Sequence, residues 1–506
     1  MIFLSVVLTF LACIAICYFI LNYRRRQSSI KTVNSLPGPK TFPLIGSAFY
    51  LLQRSPDEFL DTLIKLTEKY STPLRFWMGN KLFIAIDKPD QIQTILQNSH
   101  CLDKSVIYYF LELLFGKGLL TAPASIWTEH RKMITPSFNT IMLHKFFDIF
   151  VEQSLIFTDK LEKVGLNGNE VFFLQHMTEY TFTIACATTT NIKVEYLSNL
   201  FSQCFKAMTS YKETFRIRIR NIFLYPNFIF NLTATGREQR KCINIIHSFI
   251  DKIIQQQIYA LNELNTNCKT KSETSHGILL HILMEASYKN KCTQEMIRDN
   301  LITVLLAATD TTAVTIDFVV LMLANFPDIQ EKVYKELWEI YGTKTPKSAP
   351  IKHEDLQHMN YLDRIIKETM RIFPAAPFIG RRITEDIKMD EVILPKDSDI
   401  IIPFMTLHRN EKYWPNPLVF DPDRFLPERI GTSYKRYYMP FSMGPRNCIG
   451  MKYAMISMKV ILATLIRTFM FKVDKSIEID KIKLNFDITL STVEPIKVKI
   501  EKRNLY

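Results

Sequence analysis

The chain has 506 residues, 47% of them hydrophobic and 22% charged, and its formal net charge is +13. This size and composition allow a large buried core and exclude a linker-rich or fibrous protein. The positive charge favours an anionic membrane surface or an acidic protein partner over a nucleic acid, because no basic block carries interleaved stacking aromatics and no zinc-finger spacing occurs. The nine cysteines are scattered, which suits a reducing compartment.

The N-terminus begins with an uncharged apolar run, residues 2–21, which is long enough to span a bilayer as a helix. Three arginines, Arg24 to Arg26, follow at once. By the positive-inside rule we expect a single-pass anchor over residues 1–22, with the rest of the chain cytosolic. A cleaved signal peptide is the less favoured alternative, since there is no basic n-region and no small-residue cleavage site.

A basic and proline-rich linker is predicted for residues 23–46, where Pro37 and Pro39 stiffen the chain and stop the anchor helix. We expect residues 47–506 to form one cytosolic domain. Short β-like patterns occur at 74–86, and alternating apolar residues from Phe471 onward predict further strands.

Two apolar segments allow more than one interpretation. Residues 106–120 predict either a mobile loop over a pocket or a pair of hydrophobic helices. Residues 222–230 form an aromatic cluster preceded by Arg216, Arg218 and Arg220. Such a segment can rest on a membrane surface, roof a pocket or belong to the core.

Trp127 and Arg131 are four residues apart, so they share one face of a predicted helix. An indole N–H and a guanidinium in this arrangement can hold one carboxylate. An ordinary surface pair is the alternative. His130 is interpreted as a neighbour of this pair and not as a ligand.

One long helix is predicted over residues 293–325, ending before Pro327. Its middle is apolar enough to suggest a membrane span, but Asp310, Asp317 and several threonines favour a buried helix of the domain.

Within that helix, Asp310 is next to Thr311. A carboxyl group in such apolar surroundings requires a hydrogen-bonding partner or a functional role, because burying it unpaired is costly. The preceding Ala307 and Ala308 are small and would let a large group lie against the helix. This segment is therefore a candidate site.

A second predicted helix, residues 361–372, carries Glu368 and Arg371 on one face. A surface ion pair, which contributes little to stability, is the alternative. The segment that follows is held extended by its prolines and leads to Arg381. His408 is interpreted as a structural histidine.

The most informative segment is residues 441–450, where Cys448 stands between Gly444 and Gly450, with Phe441 and Arg446 before it. A helical pattern starts at Met451, and a cysteine at the start of a helix is favoured as a thiolate. The glycines let the backbone approach closely. We expect a flat cofactor ligated from one side by Cys448, with Arg446 meeting a carboxylate. An inert buried cysteine is the alternative.

The pattern F-x-x-G-x-R-x-C-x-G resembles the haem-binding loop of the cytochromes P450, with every fixed position present. Its details resemble the animal microsomal family 4 group, common in insects. Trp127 to Arg131 resembles the W-x-x-x-R helix of the family, and Glu368 to Arg371 resembles its E-x-x-R signature, with Arg424 as the third member of the trio. Residues 307–312 resemble [AG]-G-x-[DE]-T-[TS], with Ala308 in place of the usual glycine.

The resemblance, which covers residues 36–498, implies a mainly α fold with small β-sheets and a haem b held by the thiolate of Cys448, the metal ligand. Asp310 and Thr311 would act catalytically in proton delivery. The cofactor-binding residues implied are Trp127, Arg131, Ala308, Arg381, Phe441, Arg446, Cys448 and Gly450.

The activity implied is that of a monooxygenase acting on a lipophilic substrate, which is a fatty acid, a hydrocarbon, a terpenoid or hormone, or a xenobiotic. Electrons would come from NADPH through NADPH–cytochrome P450 reductase, with cytochrome b5 as an optional second donor. The implied location is the endoplasmic reticulum membrane. The alternatives are a haem-thiolate isomerase or dehydratase that needs no reductase, and a non-catalytic membrane protein that binds haem or a ligand.

One departure concerns the haem. Many family 4 enzymes carry a glutamate in the long helix that bonds covalently to haem, and that position is Ala307 here. Asn300 and Ile302 also differ from the family pattern. We therefore expect no haem ester from this helix, and oxidation at the end of a fatty-acid chain is not favoured over other lipid oxidations.

Overall fold

The computed structural model describes residues 33, 35–42, 45–52, 58–166, 168–192, 198–266 and 278–503. The predicted membrane anchor, residues 1–22, lies outside the described residues, as does most of the predicted linker. The described part of the chain is mainly helical with small β-sheets, as the sequence predicts.

The helices lie throughout the domain. In chain order they are α1 (Phe49–Leu52), α2 (Phe59–Lys69), α3 (Pro89–Gln97), α4 (Glu112–Phe115), α5 (Ala124–Ile134), α6 (Thr140–Gly165), α7 (Phe173–Thr190), α8 (Ser198–Arg220), α9 (Asn227–Leu232), α10 (Ala234–Thr266), α11 (Leu279–Tyr288), α12 (Gln294–Asn325), α13 (Pro327–Tyr341), α14 (Asn360–Ile372), α15 (Phe404–His408), α16 (Pro427–Ile430) and α17 (Met451–Thr468).

The strands are short. They are β1 (Leu74–Met78), β2 (Lys81–Ala85), β3 (Asp103–Lys104), β4 (Val171–Phe172), β5 (Ile379–Arg382), β6 (Ile387–Met389), β7 (Val392–Leu394), β8 (Asp399–Ile402), β9 (Phe469–Lys472), β10 (Leu484–Phe486), β11 (Leu490–Thr492) and β12 (Lys497–Lys502).

The largest sheet has the strand order β1-β2-β8-β5-β3. Its β2 and β8 strands are parallel, whereas the other neighbours are antiparallel. At its edge, Lys104 in β3 faces Arg381 in β5. Three smaller sheets have the orders β4-β12-β9, β10-β11 and β6-β7.

The predicted long helix is confirmed as α12, whose N-cap residue Thr293 accepts a hydrogen bond from the Met296 N–H at 3.2 Å. Within the described residues, α12 is long and apolar enough to cross a membrane, but most of it is buried inside the protein. It packs against α7, α14 and α17, and Phe318 stacks on Phe373 with ring centres 4.4 Å apart. Burial raises the pKa of Asp317 well above its usual value, which favours the neutral carboxyl in the core.

The two ambiguous apolar segments have defined conformations. Residues 106–120 form a short 3₁₀ helix, Val106–Phe110, followed by α4. The loop after α4 contacts α12, where the Lys117 N–H donates to Asp299 Oδ2 at 2.8 Å. The aromatic cluster at 222–230 exposes Phe223 and Phe228 and buries Phe230.

Candidate functional site

The Cys448 loop is closed by backbone geometry. Ser442 and Gly444 have φ angles of 59° and 75°, which reverse the chain. A Cβ on Gly444 would lie 2.1 Å from the Leu96 carbonyl oxygen, so glycine is required there. The Cys448 N–H donates to the Phe441 carbonyl at 3.0 Å, and Gly450 is the N-cap residue of α17. The predicted position of the cysteine at the start of a helix is confirmed.

Cys448 is a free cysteine whose side chain is accessible, unlike the other described cysteines, which are buried. Burial among protein atoms raises the pKa of the Cys448 thiol, and the Gly450 N–H and the Arg131 charge oppose that rise. A bound cation would favour the thiolate further, because a coordinating thiol is deprotonated by its metal.

Arg131 lies beside the loop. Its guanidinium donates to the carbonyl oxygen and to Oδ1 of Asn447, at 2.8 and 2.9 Å. Trp127, on the same helix α5, contacts Arg446 instead, whose guanidinium carbon lies 5.2 Å from the indole ring centre. The two predicted partners therefore attach α5 to neighbouring residues of the Cys448 loop.

A cluster of cations lies on one side of this loop and contains Arg446, Arg381 and Lys104. Arg446 donates to the carbonyl oxygens of Leu102 and of Ala122, the latter at 2.6 Å. Arg381 is buried, and its side chain donates to carbonyl oxygens at 3.2 Å or more. Among the described residues none of the three cations forms a salt bridge with a carboxylate.

The positive charges in this cluster repel one another. Burial, and then the Arg381 charge, lower the pKa of Arg446 to about 9. Burial, and then the charges of Arg381 and Arg446, lower the pKa of Lys104 well below its usual value. An anion placed among these groups would relieve the repulsion.

The donor set fits an iron porphyrin with two carboxylates. Cys448 offers one soft sulfur ligand, and the cation cluster is suited to propionate groups. A Cβ on Gly450 would lie 4.0 Å from the Cys448 sulfur, at ordinary van der Waals distance from it. On α12, Ala307 is exposed and Ala308 is partly buried.

Asp310 and Thr311 both line an apolar cavity with a volume of about 380 Å³. The Asp310 carboxylate receives a hydrogen bond from Lys212 Nζ at 2.6 Å. The Thr311 hydroxyl donates to the Ala307 carbonyl at 2.8 Å, so its oxygen lone pairs remain free to accept.

The walls of this cavity are mostly apolar. Aromatic and aliphatic side chains of α2, the largest sheet and α8 surround the polar pair on α12. They include Phe59, Leu63, Phe76 and Phe215. An apolar cavity with a few polar groups at one wall suits a lipophilic small molecule.

The E-x-x-R pair is fully buried and not on the surface. Arg371 donates from Nε and Nη2 to the two oxygens of Glu368 at 2.7 and 2.8 Å. Arg424 Nε lies 3.3 Å from Glu368 Oε1, which completes the predicted trio. Arg371 also donates to the His408 carbonyl at 2.9 Å, and the His408 ring accepts the Met439 N–H at 2.9 Å. His408 thus joins the trio to the chain just before the Cys448 loop.

The structure brings together residues that the sequence motifs did not indicate. Lys104, Tyr108 and Lys212 line the cavity, and Asn447 is the partner of Arg131. Lys104 and Lys212 stand in segments without a motif, so no sequence signal pointed to them. Asn447, inside the Cys448 loop, was the one residue whose position could have suggested a role. The Nδ1 atom of His130 lies 3.2 Å from Asn300 Nδ2.

Comparisons with known proteins agree with this geometry. The family model described as "Cytochrome P450" matches residues 36–500. The chain is 32% identical to cytochrome P450 4c21 of Blattella germanica over 493 residues, covering 96% of this chain and 97% of the relative. It is 31% identical to human cytochrome P450 4V2 over 496 residues, covering 96% and 92%. With cytochrome P450 4c3 of Drosophila melanogaster it shares 30% identity over 507 residues, covering 97% and 94%.

Proposed function

The chain belongs to the cytochrome P450 family, and on that premise we propose that it inserts one oxygen atom from O₂ into a lipophilic substrate, using electrons from NADPH. Family membership makes it a monooxygenase whose cofactor is haem b with a cysteine thiolate ligand. The observation that carries the finer proposal is the placement of Asp310 and Thr311 in the wall of an apolar cavity.

Cys448 is the proposed ligand of the haem iron. Thiolate ligation favours O–O bond cleavage, which is the chemistry that the bound haem supplies. Arg381, Arg446, Lys104 and Trp127 are proposed to hold the haem carboxylates, supported by a cation cluster with no carboxylate salt bridge among the described residues.

Further residues are proposed to shape the haem site. Arg131 fixes the Cys448 loop through Asn447 and adds positive charge beside the sulfur. Phe441 closes the loop through its carbonyl oxygen. Gly450 and Ala308 keep the two sides of the site free of bulky side chains.

Asp310 and Thr311 are proposed to move protons within the cavity. The Thr311 oxygen can accept a hydrogen bond on its cavity side, and it can relay a proton by accepting one there only as its own O–H, now donated to Ala307, is released. Asp310 is the acidic group next to it on the same wall. The acid–alcohol pair therefore supports proton delivery during oxygen activation.

The substrate class proposed is lipophilic: a fatty acid, hydrocarbon, terpenoid, hormone or xenobiotic. A cavity of about 380 Å³ can hold a small lipophilic molecule. Its apolar walls would bury the apolar surface of the substrate, and a small number of polar groups would orient the substrate.

The haem is proposed to be held without an ester bond to α12. Ala307, which lines the cavity at the relevant position, has no carboxylate. We expect acidified organic solvent to extract all haem from the wild-type protein. The wild type is compared with the Ala307→Glu variant, which provides a carboxylate at the same position. Haem that stays with the wild-type polypeptide under extraction would contradict the proposal.

NADPH–cytochrome P450 reductase is the proposed electron donor, with cytochrome b5 as an optional one. Lys132 on α5 and Lys452 on α17 are exposed on the two helices that hold the Cys448 loop, and they suit an acidic partner. We also propose the endoplasmic reticulum membrane as the location, with residues 1–22 as anchor, 23–46 as linker and 47–506 as the cytosolic catalytic domain, on the sequence pattern alone.

The test is oxygen incorporation. The full chain is reconstituted with the reductase in phospholipid vesicles under ¹⁸O₂ and offered a fatty acid, an alkane and a sesquiterpenoid. We expect one ¹⁸O atom in the product and consumption of NADPH. A product without ¹⁸O that forms in the absence of NADPH would indicate the isomerase or dehydratase alternative.

The role of Thr311 is tested by Thr311→Val, which removes the hydroxyl at nearly constant volume. We expect the product formed per NADPH to fall by about tenfold or more, because general acid–base groups contribute at least this much. Thr315→Val is the matched control, since the Thr315 hydroxyl makes the same type of bond one turn later, to Thr311 O at 2.7 Å. Equal losses in the two variants would refute a specific role of Thr311.

A further inference from the structure

Asn300, on α12, differs from the family pattern, and none of the roles proposed above uses it. The residue is buried, with 1% of its surface exposed. Its amide oxygen Oδ1 accepts a hydrogen bond from the Leu119 N–H at 3.0 Å. Its amide nitrogen Nδ2 donates to the Met296 carbonyl at 2.9 Å and lies 3.2 Å from Nδ1 of His130. One amide group therefore joins α12, α5 and the loop between α4 and α5.

The loop that this amide holds, residues 116–122, is called the clamp loop below. Asp299 holds it at a second point, because Asp299 Oδ2 accepts the Lys117 N–H at 2.8 Å. Gly116 has a φ angle of 49°, and a Cβ at that position would overlap the Asp299 carboxylate. The loop also closes on itself, since the Thr121 hydroxyl donates to the Gly116 carbonyl at 2.7 Å. Two adjacent side chains of α12 thus fix the conformation of the clamp loop.

The clamp loop carries two of the acceptors that hold the Arg446 guanidinium. Arg446 Nη2 donates to the Ala122 carbonyl at 2.6 Å and to the Leu120 carbonyl at 3.3 Å. Leu120 directly follows Leu119, and it also lines the apolar cavity. Because the donors of a guanidinium lie in one rigid plane, the positions of these carbonyls determine how the group is oriented. The contacts therefore lead from Asn300, through one backbone N–H, to the acceptors of Arg446.

We propose that Asn300 is a positioning residue of the haem site, which acts through the clamp loop on Arg446. Asn300 is not among the residues that line the cavity, so its effect on the site is transmitted by the loop. Without the amide, the Leu119 N–H would be buried without an acceptor, and the loop would have to shift to pair it. The inference rests on the proposed function, in which Arg446 holds a haem carboxylate.

The test measures haem release and needs no turnover. The ferric holoenzyme is mixed with an excess of apomyoglobin, and the transfer of haem is followed by absorbance. Asn300→Leu replaces the amide by an apolar group of similar branching, and we expect haem release to become about tenfold faster, because a buried N–H loses its acceptor. Asn300→Ala repeats the test if the leucine variant does not fold. A release rate equal to that of the wild type would overturn the proposal.

Thr303→Val is the matched control. Thr303 is buried on α12 three residues after Asn300, and its hydroxyl donates at 2.7 Å to the Asp299 carbonyl of the same helix. The change removes a hydrogen bond within α12 and none to the clamp loop. Because such bonds within a helix contribute little, haem release should stay within about twofold of the wild type. Equal acceleration in Thr303→Val and Asn300→Leu would assign the effect to a loosened α12 and refute the proposal.

A double-mutant cycle separates positioning from a merely structural role. Arg446→Met removes the guanidinium, and we expect it to accelerate haem release by about tenfold or more, because a charge-assisted hydrogen bond is lost. If Asn300 acts through Arg446, adding Asn300→Leu to Arg446→Met should change the release rate by less than about twofold.

The cycle also distinguishes the failure of this inference from the failure of the proposed function. Accelerations that multiply in the double variant would overturn the role of Asn300 and leave the carboxylate-binding role of Arg446 standing. An unchanged release rate in Arg446→Met alone would overturn that role of Arg446 and the inference with it. In either case, the incorporation of ¹⁸O by the wild type independently decides the monooxygenase proposal.

Discussion

Replacing Cys448 by serine is expected to abolish monooxygenase activity and the long-wavelength Soret band of the reduced carbon-monoxide complex. The hydroxyl of serine is a hard, weakly acidic ligand, whereas the soft thiolate provides the electron donation that defines this band, at about 450 nm. The loop should survive the change, because its closure depends on the Cys448 N–H and not on the sulfur.

The measurement is the carbon-monoxide difference spectrum of the full chain expressed in membranes. Cys242→Ser is the matched control, since Cys242 is buried in α10 and a serine there can still donate to Glu238 Oε1, the present partner at 3.7 Å. We expect the control to keep the band. A wild-type band near 420 nm, or a band that persists in Cys448→Ser, would show that Cys448 is not the ligand.

Breaking the buried pair of α14 should have the largest effect on stability. In Glu368→Leu, the fully buried Arg371 guanidinium loses both carboxylate bonds and keeps only carbonyl acceptors. Removing one partner of a buried ion pair typically lowers the free energy of unfolding by about 3–5 kcal/mol. Haem should also be lost, because His408 links this pair to Met439 ahead of the Cys448 loop.

Urea unfolding followed by fluorescence, together with the haem content per polypeptide, measures both effects. Lys289→Met is the control. Lys289 pairs with Glu285 at 3.8 Å across four residues at the end of α11, and this pair is largely exposed, so the change should be less than about 1 kcal/mol. Similar unfolding midpoints for Glu368→Leu and Lys289→Met would mean that the buried trio does not support the loop.

The proposed anchor at 1–22 and the proposed endoplasmic reticulum location rest on the apolar run and on Arg24 to Arg26. Protease protection of the N-terminus in sealed microsomes would test them. The helix α9 and the segment before it expose the aromatic side chains of Phe223 and Phe228 on the surface of the domain.

The sequence by itself determined the elements whose information is local. The Cys448 loop is defined by ten consecutive residues, the long helix by its apolar run and the proline that follows it, and the Glu368–Arg371 pair by helical spacing. In each of these elements the geometry depends on the backbone conformation and on side chains close in sequence. A short sequence pattern is therefore sufficient to predict the element.

Tertiary structure alone decided which distant residues share the cavity. Lys212 reaches Asp310 only because α8 crosses α12, and Lys104 reaches Arg381 only because β3 pairs with β5. Likewise, Trp127 contacts Arg446, which lies far from it in sequence. The Glu368–Arg371 pair is buried, although its helical spacing was equally compatible with a pair on the protein surface. Such contacts depend on how whole helices and strands pack together. The distance in sequence between two such residues does not predict whether they are in contact.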